Sequence, residues 1–212
     1  MKMPFTVEQF FEVFEKYNTA VWPLQVLFFL LGVIAVVLVI KKIKYSDRII
    51  SAILAFLWFW IGIAYHLIFF TVINKAAFGF GIIFILQGLV LFIIGVIKGN
   101  LSFKYEKNIY GFAGSILLVY AMLIYPAIGY FLGHVYPNSP TFGLPCPTTI
   151  FTFGILLFSS EKFPKPVLII PLLWTLIGSS AAFAFGVYED IGLFISGITA
   201  GTLLFLRRTT GK

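Results

Sequence analysis

Apolar residues run in seven stretches along the chain, at 20–40, 49–72, 76–97, 108–131, 144–160, 166–187 and 191–206, with short polar intervals between them. A helix needs about 20 apolar residues to cross a bilayer core. The pattern therefore predicts an all-α polytopic membrane bundle with seven transmembrane helices filling residues 20–206. The fifth and seventh stretches are short, and the fifth fits a re-entrant helix as well as a crossing one. Gly and Pro fall inside several stretches, which lipid tolerates better than water does.

The segment ahead of the first stretch is different in kind. In TVEQFFEVFEKY, Thr6 and Gln9 have the spacing of a capping box. Val7, Phe10, Phe11, Phe14 and Tyr17 recur at helical spacing, while Glu8, Glu12 and Glu15 take the other side. Residues 1–19 thus read as an amphipathic helix on the outer surface. It is either an anchor or a lid over an outward-facing cavity. Its acidic polar face favours packing on protein over binding anionic lipid.

Charge orients the bundle. Twelve of the fifteen Lys and Arg residues lie in 41–48, 98–107, 161–165 and the basic tail 207–212, and only Lys2, Lys16 and Lys75 lie elsewhere. Cations gather on the cytoplasmic side, so the N-terminus is expected outside and the C-terminus in the cytoplasm. This alternation also accounts for the net charge of +7 without a nucleic-acid partner. Mean hydropathy is +1.03 and 11% of residues are charged, which suits a bilayer and no soluble domain. No cleavable signal peptide is expected, because the first apolar run begins only at residue 20 and is too long for a signal core. A single cysteine excludes an intramolecular disulfide and any CxxC site.

The seven stretches contain no Asp, Glu, Lys or Arg. Coupled pumps usually keep such a group in the pathway, so coupling would have to run through His66, tyrosines, hydroxyls and carbonyls. Two histidines are too few for a three-histidine zinc hydrolase. His66 in the second stretch and Gln87 in the third either face a cavity or bond a neighbouring helix. The loop 132–147 offers His134 and Tyr136 and is stiffened by Pro137, Pro140, Pro145 and Pro147. Pro147 suits the first position of a helix. Cys146 would then be its N-cap, with the amides of Thr148 and Thr149 unpaired and a positive helix end that favours anions and thiolate. Cys146 is either a reactive or soft-metal-binding thiol, with His134 or His66 as partner, or an inert packing residue. Glu189 and Asp190, in a short outer turn, either add negative charge to the same mouth or are merely solvated.

MPFTVEQFFEVFEKYN and FGLPCPTTIFTFG together resemble a family of uncharacterised bacterial multi-pass membrane proteins. The resemblance implies a bacterial inner-membrane location and supplies no site roles. Three functions fit these residues. The leading one is binding or transport of a small solute or ion through an outward-opening polar pocket formed by His66, the 132–147 loop and the start of the fifth stretch. The second is a membrane enzyme with Cys146 as nucleophile beside a histidine. The third is an accessory subunit that packs against a partner or a second copy. None of these calls for a cofactor.

Overall fold

The computed structural model describes residues 4–160 and 163–207, and about three-quarters of them are helical. The chain begins with α1, Val7–Val21, and α2, Leu24–Ile40, joined at an 85° bend. Pro23 lies at the bend, where it has no amide to continue the helix. Both halves of the capping box form: Gln9 N donates to Thr6 Oγ1 at 3.2 Å and Thr6 N to Gln9 Oε1 at 2.9 Å. Then follow α3, Ser46–Val72; α4, Ala77–Ile97; α5, Ile109–Phe131; α6, Pro145–Leu157; α7, Lys165–Phe185; and α8, Tyr188–Leu206. The protein is a multi-pass membrane bundle whose lipid-facing surfaces carry exposed Leu30, Ile63, Phe78, Phe112 and Leu176.

Seven transmembrane helices are expected from sequence, and the structure supports five or six of membrane length. Among the described residues, five helices (α3, α4, α5, α7 and α8) are long and apolar enough to cross a membrane, or six if α1 and α2 make one broken span. The exception is α6, at 13 residues. At 1.5 Å per residue it is about 20 Å long, short of a hydrocarbon core of roughly 30 Å. It needs no greater length, because it meets protein rather than lipid. It packs against α2, α5, α7 and α8, and Trp58 Nε1 of α3 donates to Thr152 Oγ1 at 3.0 Å. Every residue of α6 is buried except Cys146, which is partly exposed.

The interhelix loops alternate between two faces. On the basic face, Lys42 donates to Ser102 Oγ at 2.8 Å and pairs with Asp47 Oδ2 at 3.2 Å. Asp47 Oδ1 accepts from Phe103 N at 2.7 Å, and Ser160 N donates to Ser102 O at 2.8 Å. The Arg207 guanidinium caps Ser159 O. Lys2, Lys162 and 208–212, which hold most of the predicted basic tail, lie outside the described residues. The opposite face carries α1, the 132–144 loop and the α7–α8 turn.

Close packing of α6 depends on small residues. A Cβ on Gly114 of α5 would lie 2.9 Å from the Gly154 carbonyl, and one on Gly154 would lie 2.9 Å from the Leu118 side chain. Gly114→Val is expected to cost about 1–3 kcal/mol by overpacking. That is a fall of roughly 2–10 °C in the thermal midpoint for a chain of this size. Thermal unfolding of the purified protein in detergent measures it, and an unchanged midpoint would contradict the packing described.

Candidate functional site

A cavity of about 430 Å³ lies under α1, between the α1-face ends of α3, α4, α6 and α7. Its roof is the apolar side of α1 and the residues leading to it. Phe10 stacks on Phe185 with centroids 4.6 Å apart, Phe5 stacks on Phe185 at 5.1 Å, and Phe14 lies parallel to Tyr65 at 6.1 Å. α1 thus lies over this cavity, the position a lid would take. The helix is pinned by Asn18, which is fully buried. Asn18 Nδ2 donates to Pro137 O at 2.7 Å and Ser139 O at 2.8 Å. Asn18 Oδ1 accepts from Thr141 Oγ1 at 2.9 Å, and Gln25 Nε2 donates to the Asn18 carbonyl at 2.7 Å. One side chain thus fastens α1 to the proline-rich loop.

His66 forms part of the cavity wall, in a π-helical stretch of α3 over Ile61–Phe69. Such stretches are uncommon and gather at functional sites. The ring is 0% exposed and boxed by aromatics, with Phe84 at 4.7 Å and Trp174 at 5.3 Å between centroids. Neither nitrogen of His66 has a hydrogen-bond partner among the described residues, and neither does Trp174 Nε1. All three belong to residues that line the cavity.

The structure corrects the reading of Glu189 and Asp190 as solvated. They are 0% and 2% exposed. Gly186 ends α7 in the left-handed conformation with φ of 75°, and α8 begins two residues later. The carboxyls therefore sit in the first turn of a membrane-length helix. This also revises the picture of spans free of acidic groups. Asp190 Oδ1 accepts from Tyr125 Oη at 2.6 Å, and Asp190 contributes to the cavity lining. Glu189 Oε1 meets His134 Nδ1 at 2.9 Å, and its backbone carbonyl accepts from Tyr120 Oη at 2.8 Å.

Cys146 is the one residue of α6 with accessible surface, and it lines the cavity beside Asp190 and the Trp174 indole. It is not the helix N-cap: Leu144 is, with Pro145 at the first helical position. Leu144 N donates to Thr141 O and Thr148 N to Leu144 O, and Pro145 and Pro147 have no amide to offer. Only the Cys146 amide is left, so the anion-binding helix end expected from sequence is not built. Thr148 and Thr149 are fully buried and satisfy neighbours: Thr148 Oγ1 accepts from Gly143 N at 3.2 Å, and Thr149 Oγ1 donates to Pro145 O at 2.7 Å. Neither lines the cavity. Gln87 Nε2 donates to Val167 O at 2.9 Å, which ties α4 to the start of α7 away from the cavity. Tyr136 Oη donates to the Asn18 carbonyl at 3.3 Å, within the loop-to-lid clamp.

The structure thus brings His66 and Cys146 to one cavity and takes His134 to Glu189. Neither ring nitrogen of His66 bonds the thiol, and no group of three or more His, Cys, Asp or Glu among the described residues is placed to hold a metal ion. Sequence reasoning missed Trp174, Tyr65 and Tyr125 in the wall, and Asn18 in the clamp. The tyrosines and tryptophan carried no signal among so many aromatics. The carboxyls carried no signal either, since Asn74 and Lys75, in an interval of the same length, are not buried.

Asn18→Ala leaves two loop carbonyls and the Thr141 hydroxyl without partners. A loss of about 1.4 kcal/mol in clamp stability is a factor of ten in the opened population. The variant should react about tenfold faster than wild type with N-ethylmaleimide at Cys146, followed by mass spectrometry. An unchanged rate would show that α1 does not gate the thiol.

No curated protein and no solved structure matches the chain. One family matches residues 7–212, in agreement with the resemblance to uncharacterised multi-pass membrane proteins. The chain belongs to that family, described as a family of unknown function (DUF6064).

Proposed function

We propose that the protein binds a small, mostly apolar solute in the cavity under α1 and passes it across the membrane. The observation that carries this is His66, a fully buried ring in the wall of the aromatic cavity whose two nitrogens meet no partner among the described residues, with the unmet Trp174 indole N–H in the same wall. A buried polar group without a partner costs about 1–3 kcal/mol. A solute that hydrogen-bonds the two side chains recovers that cost on binding. The cavity size fits a small molecule, and its mostly apolar wall with a few convergent polar groups is the usual make-up of such sites.

Neutral imidazole offers one donor and one acceptor, and indole offers one donor. The solute therefore carries a polar head that both donates and accepts, on a body that packs against Phe80, Phe84 and Tyr65. The bend between α1 and α2 is the hinge on which the lid swings. The positive-inside distribution favours the N-terminus outside, the family resemblance favours a bacterial inner membrane, and α6 then serves as a seventh, shortened crossing inside the bundle. Binding and transport are favoured over catalysis because no imidazole is bonded to the Cys146 thiol.

This reading makes a paired prediction. Replacing an unmet polar side chain by an apolar one of similar size removes its cost. His66→Leu should therefore raise the thermal midpoint of the ligand-free protein in detergent. Benzamide and acetanilide, tried as probes, should stabilise wild type and lose about tenfold in affinity for His66→Leu. A His66→Leu protein less stable than wild type, or one that binds both probes equally well, would overturn the reading.

A further inference from the structure

A second cavity, of about 450 Å³, lies on the other side of the Glu189–Asp190 turn, between α2, α5 and the 134–142 loop. It shares only Tyr125 and Pro140 with the first. Two of its lining residues present acceptor oxygens with no protein partner among the described residues: Glu189 Oε2 and Gln25 Oε1. Both side chains are buried, Glu189 at 0% and Gln25 at 9% exposure. Their other polar atoms are already committed. Glu189 Oε1 meets His134 Nδ1, and Gln25 Nε2 donates to the Asn18 carbonyl. The Asn18 contact also settles the amide orientation, because turning it over would set two oxygens against each other.

We propose that this cavity binds a small organic cation, an ammonium group on an aromatic or alkyl body. Two unmet acceptors and no unmet buried donor among the described lining residues call for a ligand that donates, and one of the acceptors is a carboxylate. The lining contains no Lys or Arg to supply the donor from the chain. Phe29, Tyr130, Tyr136 and Phe142 line the same space, and aromatic faces attract cations most strongly where water is excluded. A hard metal ion fits poorly, since calcium takes six to eight oxygens and no metal-holding group of three is present among the described residues. Gly129 keeps the approach open: a Cβ there would lie 3.0 Å from Glu189 Oε1. This site does not rest on the function proposed for the cavity under α1.

The test is calorimetric titration of the purified full-length protein in detergent at neutral pH, with benzylammonium chloride and with benzyl alcohol as its neutral counterpart. Wild type should bind the ammonium saturably and about tenfold more tightly than the alcohol. Glu189→Gln keeps the shape and removes the charge, and it should abolish that preference. Glu106→Gln, on the opposite face, should retain it. Equal affinity for the two probes, or no saturable binding of the ammonium by wild type, would overturn the proposal without any variant. A folded Glu189→Gln protein that still prefers the ammonium would overturn it as well. Should Glu189→Gln fail to fold, Gln25→Leu, which removes the second acceptor, is expected to weaken ammonium binding about tenfold, and unchanged binding would count against the site.

Discussion

Glu189 and Asp190 are held where α8 begins, with a two-residue link behind them and an apolar helix ahead, so the chain has no slack to carry either carboxyl to water. Burying such groups is costly unless each is hydrogen-bonded. Much of the α1 face is arranged to meet that requirement. Tyr125 from α5 reaches Asp190, His134 from the loop reaches Glu189, and Tyr120 holds the turn by its backbone. These contacts draw α5, the proline-rich loop and α8 together. The two cavities are the spaces left on either side of the carboxyl pair, one facing each acidic residue.

The lid is coupled to the same arrangement through Asn18. Its amide satisfies carbonyls of a loop whose prolines leave few backbone donors of their own. In turn, that loop holds α1 down over the phenylalanine cluster. Local opening free energies follow from how many buried contacts a segment must give up. Here they comprise the Asn18 bonds, the Trp60–Tyr17 and Asn138–Glu15 hydrogen bonds and a handful of stacked rings.

The bundle itself is organised around α6. Thr149 and Thr152 fold their hydroxyls onto the carbonyls one turn back and Thr148 accepts from Gly143 N, which removes them as free polar groups inside the protein. Its prolines remove most of the donors at its start. What remains is an apolar rod closely ringed by neighbours, which meets the cavity at Pro145, Cys146 and Pro147. The π-helical turn of α3 then rotates His66 into that cavity, where an ordinary α-helical register would carry the later residues of α3 to a different face.

Several features of the fold were legible in the sequence because they depend on local or periodic properties. Apolar runs of bilayer length marked the helices, the cation distribution sorted the loops into two faces, and Thr6 with Gln9 marked the start of α1. His66, Cys146 and the loop were identified as candidates from their rarity in apolar surroundings. Rarity does not reveal direction, so Thr148, Thr149 and Gln87 looked equally suitable and proved to be bonded within the packing. The carboxyl pair was misjudged because hydropathy windows split the chain on either side of it. Only the tertiary structure decided that the two acids are buried, that α6 is enclosed by protein, and that Trp174, Tyr125 and Asn18 matter. Those outcomes depend on which distant segments meet, and hydrogen-bond satisfaction between residues more than a hundred positions apart leaves no periodic trace in a single sequence.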